Sequence, residues 1–450
     1  MKILVILLIV SFAWLSLAQD MVQPLSVPWK RIIVDAAVWP RSVVLASSAD
    51  NHIWLAINWK STARNARVNK WTIHDVANDG SISQIADKSQ AFGSAFPSNI
   101  SSPLTDIEEI SAIAGSSNGS LTMIGLGRNY RPQIINLSRN GQIISSADLE
   151  SQIENQVDNT NSVQTVSTPW YPSALFVEGI LPVPGGNTLI FGSIKKEVAN
   201  IDNINNEDGW MMMVDEDCKR IWAREYDFGT NEAIGSATLL DNGEIIVSLA
   251  LGKEPRLDIM GGASQICILK CTYTGDIINK ISMQGRKATV LNLKGGNIAV
   301  LYDRAQGFDI DTWIEVRNAE LAILSEKRIE NARQQTTSSG IVPTLTKFNA
   351  ARLESGDILT TGWLLKDVRE SERIWDFAMI INRYNENGDK CGHLEYAPGF
   401  PLRPVQIASV HNWACLSWIT GIADPDTPEK DRQEVNIIRV DMHDGGEDKN

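Results

Sequence analysis

The sequence predicts an all-β fold, a seven-bladed β-propeller of four-stranded antiparallel blades, on three observations. Apolar runs of about four to eight residues recur along the chain, separated by Gly, Asn and Asp turns such as Asp241-Asn242-Gly243, and that pattern specifies hairpins. The runs group by fours at a spacing of roughly 45 to 65 residues, a period that fits a radial repeat. A lone run at residues 30–38 has no hairpin partner beside it, while the last group lacks its fourth run.

The elements follow in order. Lys2, the apolar run at 3–15 and Ser16-Leu17-Ala18 make residues 1–18 a signal peptide, so the mature protein is expected to be secreted or periplasmic. Residues 19–443 then form one propeller, and 444–450 a charged tail. The first unit takes 42–47, 53–57, 71–76 and 81–85, with turns at Asp50-Asn51 and Asn78-Asp79-Gly80. The second takes 110–114, 121–125, 132–137 and 142–145, turning at Asn118-Gly119 and Asn140-Gly141. In the third, 176–177, 188–191, 210–214 and 220–224 turn at Gly185-Gly186 and at Glu216-Asp217-Cys218.

The fourth unit spans 235–281, with turns at Asp241-Asn242-Gly243 and Thr274-Gly275-Asp276. The fifth uses 288–291, 298–302, 311–316 and 321–324; the sixth uses 350–353, 358–362, 377–383 and 391–394. The seventh has only 405–409, 414–420 and 435–440. Residues 30–38 supply its fourth strand, so the two ends of the chain close the ring and no sheet edge is left exposed.

This arrangement resembles secreted bacterial β-propeller repeat proteins of the broad WD-like, kelch-like and quinoprotein-like kind, over nearly the whole mature chain. The resemblance implies the architecture only. There is no Gly-His to Trp-Asp signature at blade spacing, no double glycine in every unit and no repeated tryptophan motif, so no family's residues transfer one by one.

With a formal net charge of −13, the chain is a poor nucleic-acid binder, since phosphate neutralisation dominates that affinity. No run after the signal peptide is long enough to cross a membrane as a helix. Five cysteines are odd in number and too few for a disulfide scaffold. Cys267 and Cys271 share a strand face roughly 13 Å apart, which excludes a bridge between them, whereas Cys391 and Cys415 in consecutive units are a candidate pair.

Motifs for catalysis are missing: no His-Glu-x-x-His helix, haem attachment, Gly-x-Ser-x-Gly elbow or phosphate loop, so no catalytic residue and no cofactor is assigned. Asp303, Asp309 and Asp311 are calcium candidates, outside any helix-loop-helix pattern. The tryptophans at 54, 71, 210, 222, 313, 363, 375, 413 and 418 lie in or beside strands and read as filler between blades, each with an indole N–H partner.

Function is read from loop lengths. Turns between first and second and between third and fourth strands are tight and share one side of the ring; second-to-third loops and inter-unit connections are long and share the other. A rigid ring presenting long loops on one face makes that face the expected working surface. On it lie Lys60, Arg64, Arg67 and Lys70, the aromatic pair Trp170 and Tyr171, and the acidic Asp202 and Asp208. The expected role is a non-catalytic interaction or scaffold subunit of an extracytoplasmic complex that carries its chemistry, redox chemistry included, on a protein partner. The alternatives are a carbohydrate-active enzyme with central carboxylates, or a glycan- or small-ligand-binding propeller.

Overall fold

The chain's computed structural model describes residues 23–34, 38–48, 51–61, 69–88, 103–116, 119–127, 131–154, 175–195, 207–252, 265–286, 288–306, 309–329, 336–337, 340–341, 349–369, 374–396, 405–411, 413–422 and 432–442. Alternating apolar residues and glycine turns drive the chain into seven antiparallel sheets. Blade one is Val38–Ser47, Ile53–Ser61, Asn69–Val76 and Ile82–Asp87; blade two is Ile107–Gly115, Leu121–Gly127, Pro132–Leu137 and Ile143–Asp148. Blade three is Leu175–Val183, Asn187–Lys195, Glu207–Val214 and Arg220–Tyr226; blade four is Asn231–Leu239, Ile245–Gly252, Gln265–Cys271 and Ile277–Gln284. Blade five is Ala288–Asn292, Ile298–Gln306, Asp309–Arg317 and Ile323–Ile329, and blade six is Asn349–Arg352, Ile358–Arg369, Ile374–Tyr384 and Lys390–Tyr396.

Blade seven combines Gln406–Val410, Trp413–Ile422 and Arg432–Met442 with the early strand Lys30–Ile33, which runs antiparallel to Arg432–Met442 with Lys30 opposite Ile438 and Ile33 opposite Val435. The expected closure by the N-terminal strand is therefore present. A further short strand, Gln23–Ser26, staples two blades: Gln23 and Pro24 run parallel to Gly392 and His393 of blade six, and Leu25 and Ser26 pair with Met442 and Asp441 of blade seven. The first strand of each blade contacts the first strand of the next, and that of blade seven contacts that of blade one, so seven inner strands encircle the axis.

Each seam between neighbouring blades holds its own apolar cluster. Trp54, Trp71 and Ile107 fill the seam of blades one and two, and Met211, Met213, Ile234 and Leu249 that of blades three and four. Leu359, Trp363, Leu416 and Trp418 fill the seam of blades six and seven, while Val43, Leu55, Trp413 and Cys415 close the ring between seven and one. A sheet has two faces, and only a neighbour on each side buries both, which is why the repeat must close on itself.

Three expectations need correction. Closure leaves the outer edges bare: the fourth strands of blades two to five expose Ile144, Ile221, Ile277, Ile278, Ile323 and Leu324. The fourth strand of blade five starts at Ile323 rather than Leu321, because Leu321 itself takes the left-handed turn position at φ 68°. Two short helices, Pro103–Asp106 and Leu149–Glu154, and a two-residue hairpin pairing Thr336–Thr337 with Gly340–Ile341 occupy stretches outside the expected strands. Many of the other tight turns place a glycine at the left-handed position, while Asn51, Cys218 and His411 take it in three of them. Gly275 has φ 82°, and a Cβ there would come within 2.8 Å of the Trp222 ring, so this turn admits glycine alone.

Candidate functional site

Because first strands descend from the inter-blade connections, the long-loop face is built from the starts of first and third strands and the ends of second and fourth strands. Arg64, Arg67, Trp170, Tyr171 and Asp202 lie outside the described residues. Lys60 and Lys70 stand on the rim of blade one but do not act together. Lys60 pairs with Asn69 and Lys70 with Trp59, so successive register positions send the two side chains to opposite faces of the sheet.

Asp208 is placed in company that the sequence does not announce. It opens the third strand of blade three and is buried; Asp227 follows the fourth strand and is exposed; Glu232 enters the first strand of blade four and is 0% exposed. One carboxylate oxygen from each lies within 4.8 Å of the others. Thr230 donates both its N–H (2.9 Å) and its hydroxyl (2.7 Å) to Oε1 of Glu232, and Gly229 N–H donates to Asp227 (2.8 Å). Burial, followed by the charges of Asp208 and Asp227, pushes the Glu232 carboxyl up against the Thr230 hydrogen bonds. The only sequence signal for this cluster is that all three residues sit near strand ends on one face.

The expected calcium set is not assembled. Asp303 stands opposite Thr312 and accepts its hydroxyl (2.6 Å), whereas Asp311 stands opposite Arg304 and pairs with Arg328 (2.5 Å). Adjacent register positions face opposite sides, so Asp303 points toward blade six and Asp311 toward blade four; the Asp309 side chain lies outside the described residues. Cys391 and Cys415 are both free, which corrects the expected pairing: Cys415 is packed in the cluster facing blade one, away from Cys391 in blade six. Cys267 and Cys271 share one seam and are free.

The described tryptophans fill seams as expected. Trp54, Trp71, Trp210 and Trp418 are among the largest fully buried side chains, and Trp222, Trp363 and Trp413 are buried as well. Their N–H groups are less uniformly satisfied than expected. Trp71 donates to the Ile107 carbonyl and Trp413 to Asn51, but Trp54, Trp222, Trp313, Trp363 and Trp418 find no acceptor among the described residues.

On the tight-turn face, a polar cleft of about 480 Å³ between blades seven and one is lined by Asn51, His52, Ala77, Asn78, Asp79 and Arg439. Arg139 donates to Nε2 of His52 (3.0 Å), which places the ring proton on Nδ1 and directs it to Asp75 (2.6 Å). The lining carries no serine, threonine or cysteine for that His–Asp pair to activate.

No protein-family model matches the chain, and no curated protein matches it in sequence. Among solved structures, it is similar to a protein of unknown function from Dyadobacter fermentans, at 9% identity over 93% of this chain and 99% of the other, with a TM-score of 0.46. It is similar to puromycin hydrolase at 11% identity over 85% of this chain but 50% of the hydrolase, with a TM-score of 0.47. The β-propeller domain of the Trilobed protease from Pyrococcus furiosus matches at 8% identity over 86% of this chain and 90% of that domain, with a TM-score of 0.42. These likenesses are too distant to carry an activity.

Proposed function

We propose that the chain is a secreted, non-catalytic propeller that docks a protein partner on its long-loop face, as a scaffold subunit of an extracytoplasmic assembly. The partner carries the assembly's catalytic or redox centre. One observation supports this reading above others: all second-to-third loops and inter-blade connections leave the same face of a ring that is closed by its own early strand. A rigid closed ring holds such loops in fixed relation without ordering cost at each encounter. The same face carries both charge signs, with Lys60 on blade one and buried acids at blades three and four, which favours a partner of complementary charge pattern.

The glycan-binding and glycoside-cleaving alternatives have less support, since the buried tryptophans form seams rather than an open stacking platform. Purification from the native source followed by intact-assembly mass measurement tests the proposal. A stoichiometric complex is expected. A stable monomer without partners would overturn it and direct work to glycan binding.

A further inference from the structure

The geometry points to a calcium site at the seam of blades three and four, formed by Asp208, Asp227 and Glu232 on the long-loop face. Three carboxylates converge there from three separate strand ends, with oxygens all within 4.8 Å of one another. Oxygens around a cation at about 2.4 Å can stand at most about 4.8 Å apart, so the three carboxylates can share one calcium shell, whereas magnesium keeps most of its waters and takes one or two carboxylates rather than three.

Acids cluster on many surfaces without a cation, and Glu232 supplies the independent observation. Its side chain is 0% exposed, its Oε1 is held by both Thr230 donors, and its Oε2, equally buried, accepts no hydrogen bond among the described residues. No lysine or arginine among the described residues pairs with Glu232 or Asp227. A buried carboxylate oxygen without a donor, beside two further carboxylates, is costly unless a proton or a cation satisfies it. A proton would satisfy Glu232 alone and would give no reason for two further carboxylates to converge on it. A divalent cation satisfies all three at once, and hard oxygen donors of this kind select calcium over softer metals.

The elements themselves favour a fixed site. Asn231, next to Glu232, accepts the Glu207 N–H (3.1 Å), tying the first strand of blade four to the third strand of blade three beside Asp208. Calcium would therefore join two blades at the rim of the docking face.

The test titrates the full chain with calcium chloride at pH 7 by calorimetry, with magnesium chloride in parallel, and follows the melting temperature of each sample. One calcium per chain is expected, with tighter binding than magnesium and a calcium-dependent rise in melting temperature. Glu232→Gln is expected to weaken binding at least tenfold. Asp227→Asn, an exposed substitution that leaves the fold intact, is expected to do the same. Absence of calcium heat and melting shift, or binding unchanged in Asp227→Asn, overturns the site. So does a Glu232→Gln chain that is more stable than its parent while neither binds calcium, since a proton then satisfies Glu232. Because the readout is metal binding by the isolated chain, it is independent of whether a protein partner is found.

Discussion

The side-chain amide of Asn58 in blade one pairs with both backbone groups of Ile110 in blade two: Ile110 N–H donates to Oδ1 at 2.8 Å, and Nδ2 donates to the Ile110 carbonyl at 2.8 Å. Asn58 is 2% exposed, so water cannot replace it. Asn58→Ala leaves two buried backbone groups unpaired and should cost about 2–4 kcal/mol of stability, read by urea unfolding. A loss below about 0.5 kcal/mol would show that the seam repacks without the amide.

A second buried network lies in blade five. Tyr302 donates its hydroxyl to Glu315 (2.6 Å), and Arg317 donates Nε to the other Glu315 oxygen (2.7 Å) and Nη1 to the Leu321 carbonyl (2.5 Å). Burial and then Glu315 push the Tyr302 phenol up, so it stays a donor throughout the working pH range. Arg317→Met strands a buried carboxylate and should cost about 3–5 kcal/mol, whereas adding Glu315→Leu should recover a large part of it. Unfolding curves of the single and double variants decide this, and additive losses would contradict the coupling.

Stability should fall with acid through His74. It is 8% exposed, and burial, then Lys70, lowers its pKa from 6.5 to about 4. The unfolded ring takes up a proton near pH 6.5 that the folded ring refuses until about pH 4, so the stability held above 6.5 is lost as pH falls through that window. The loss approaches about 3 kcal/mol at pH 4. Thr72 has one hydroxyl proton; it accepts the Trp59 indole N–H (2.9 Å) and can direct that proton to Nε2 of the neutral His74 ring (2.9 Å). His74→Gln should flatten the profile between pH 6.5 and 4, measured as denaturation midpoints, and an unchanged slope would place the acid sensitivity elsewhere.

The thiols should be silent in the folded protein. Burial pushes Cys271 up to about 12 and Cys415 higher still, so neither offers thiolate at neutral pH. Aromatic disulfide reagents should label these two only after unfolding, when all five cysteines titrate without reductant. Fewer than five would reveal a bridge.

Much of the ring is legible in the sequence, because a period of two within strands and a glycine or asparagine at most turns are local properties. Leu321 escapes for the same reason: its turn has no glycine, so the run beyond it reads as strand from its first residue. Asp303 and Asp311 look like companions along the chain, yet the hairpin sets Asp303 opposite Thr312, and faces are decided by register rather than by sequence distance. Asp227 and Glu232 meet Asp208 only because two blades stand side by side, a relation with no short-range signature.

Lys30–Ile33 forms its only blade with a strand that ends at Met442. On the ribosome, the segment made before blade one must therefore wait, unpaired, until six blades and most of a seventh have emerged. Val43, Leu55 and Ile57 of blade one, which the finished ring packs against blade seven, stay open for that whole interval. Closure is thus a final event in time as well as in space, and a companion that shields the early strand during synthesis would act on yield while leaving the finished ring unchanged.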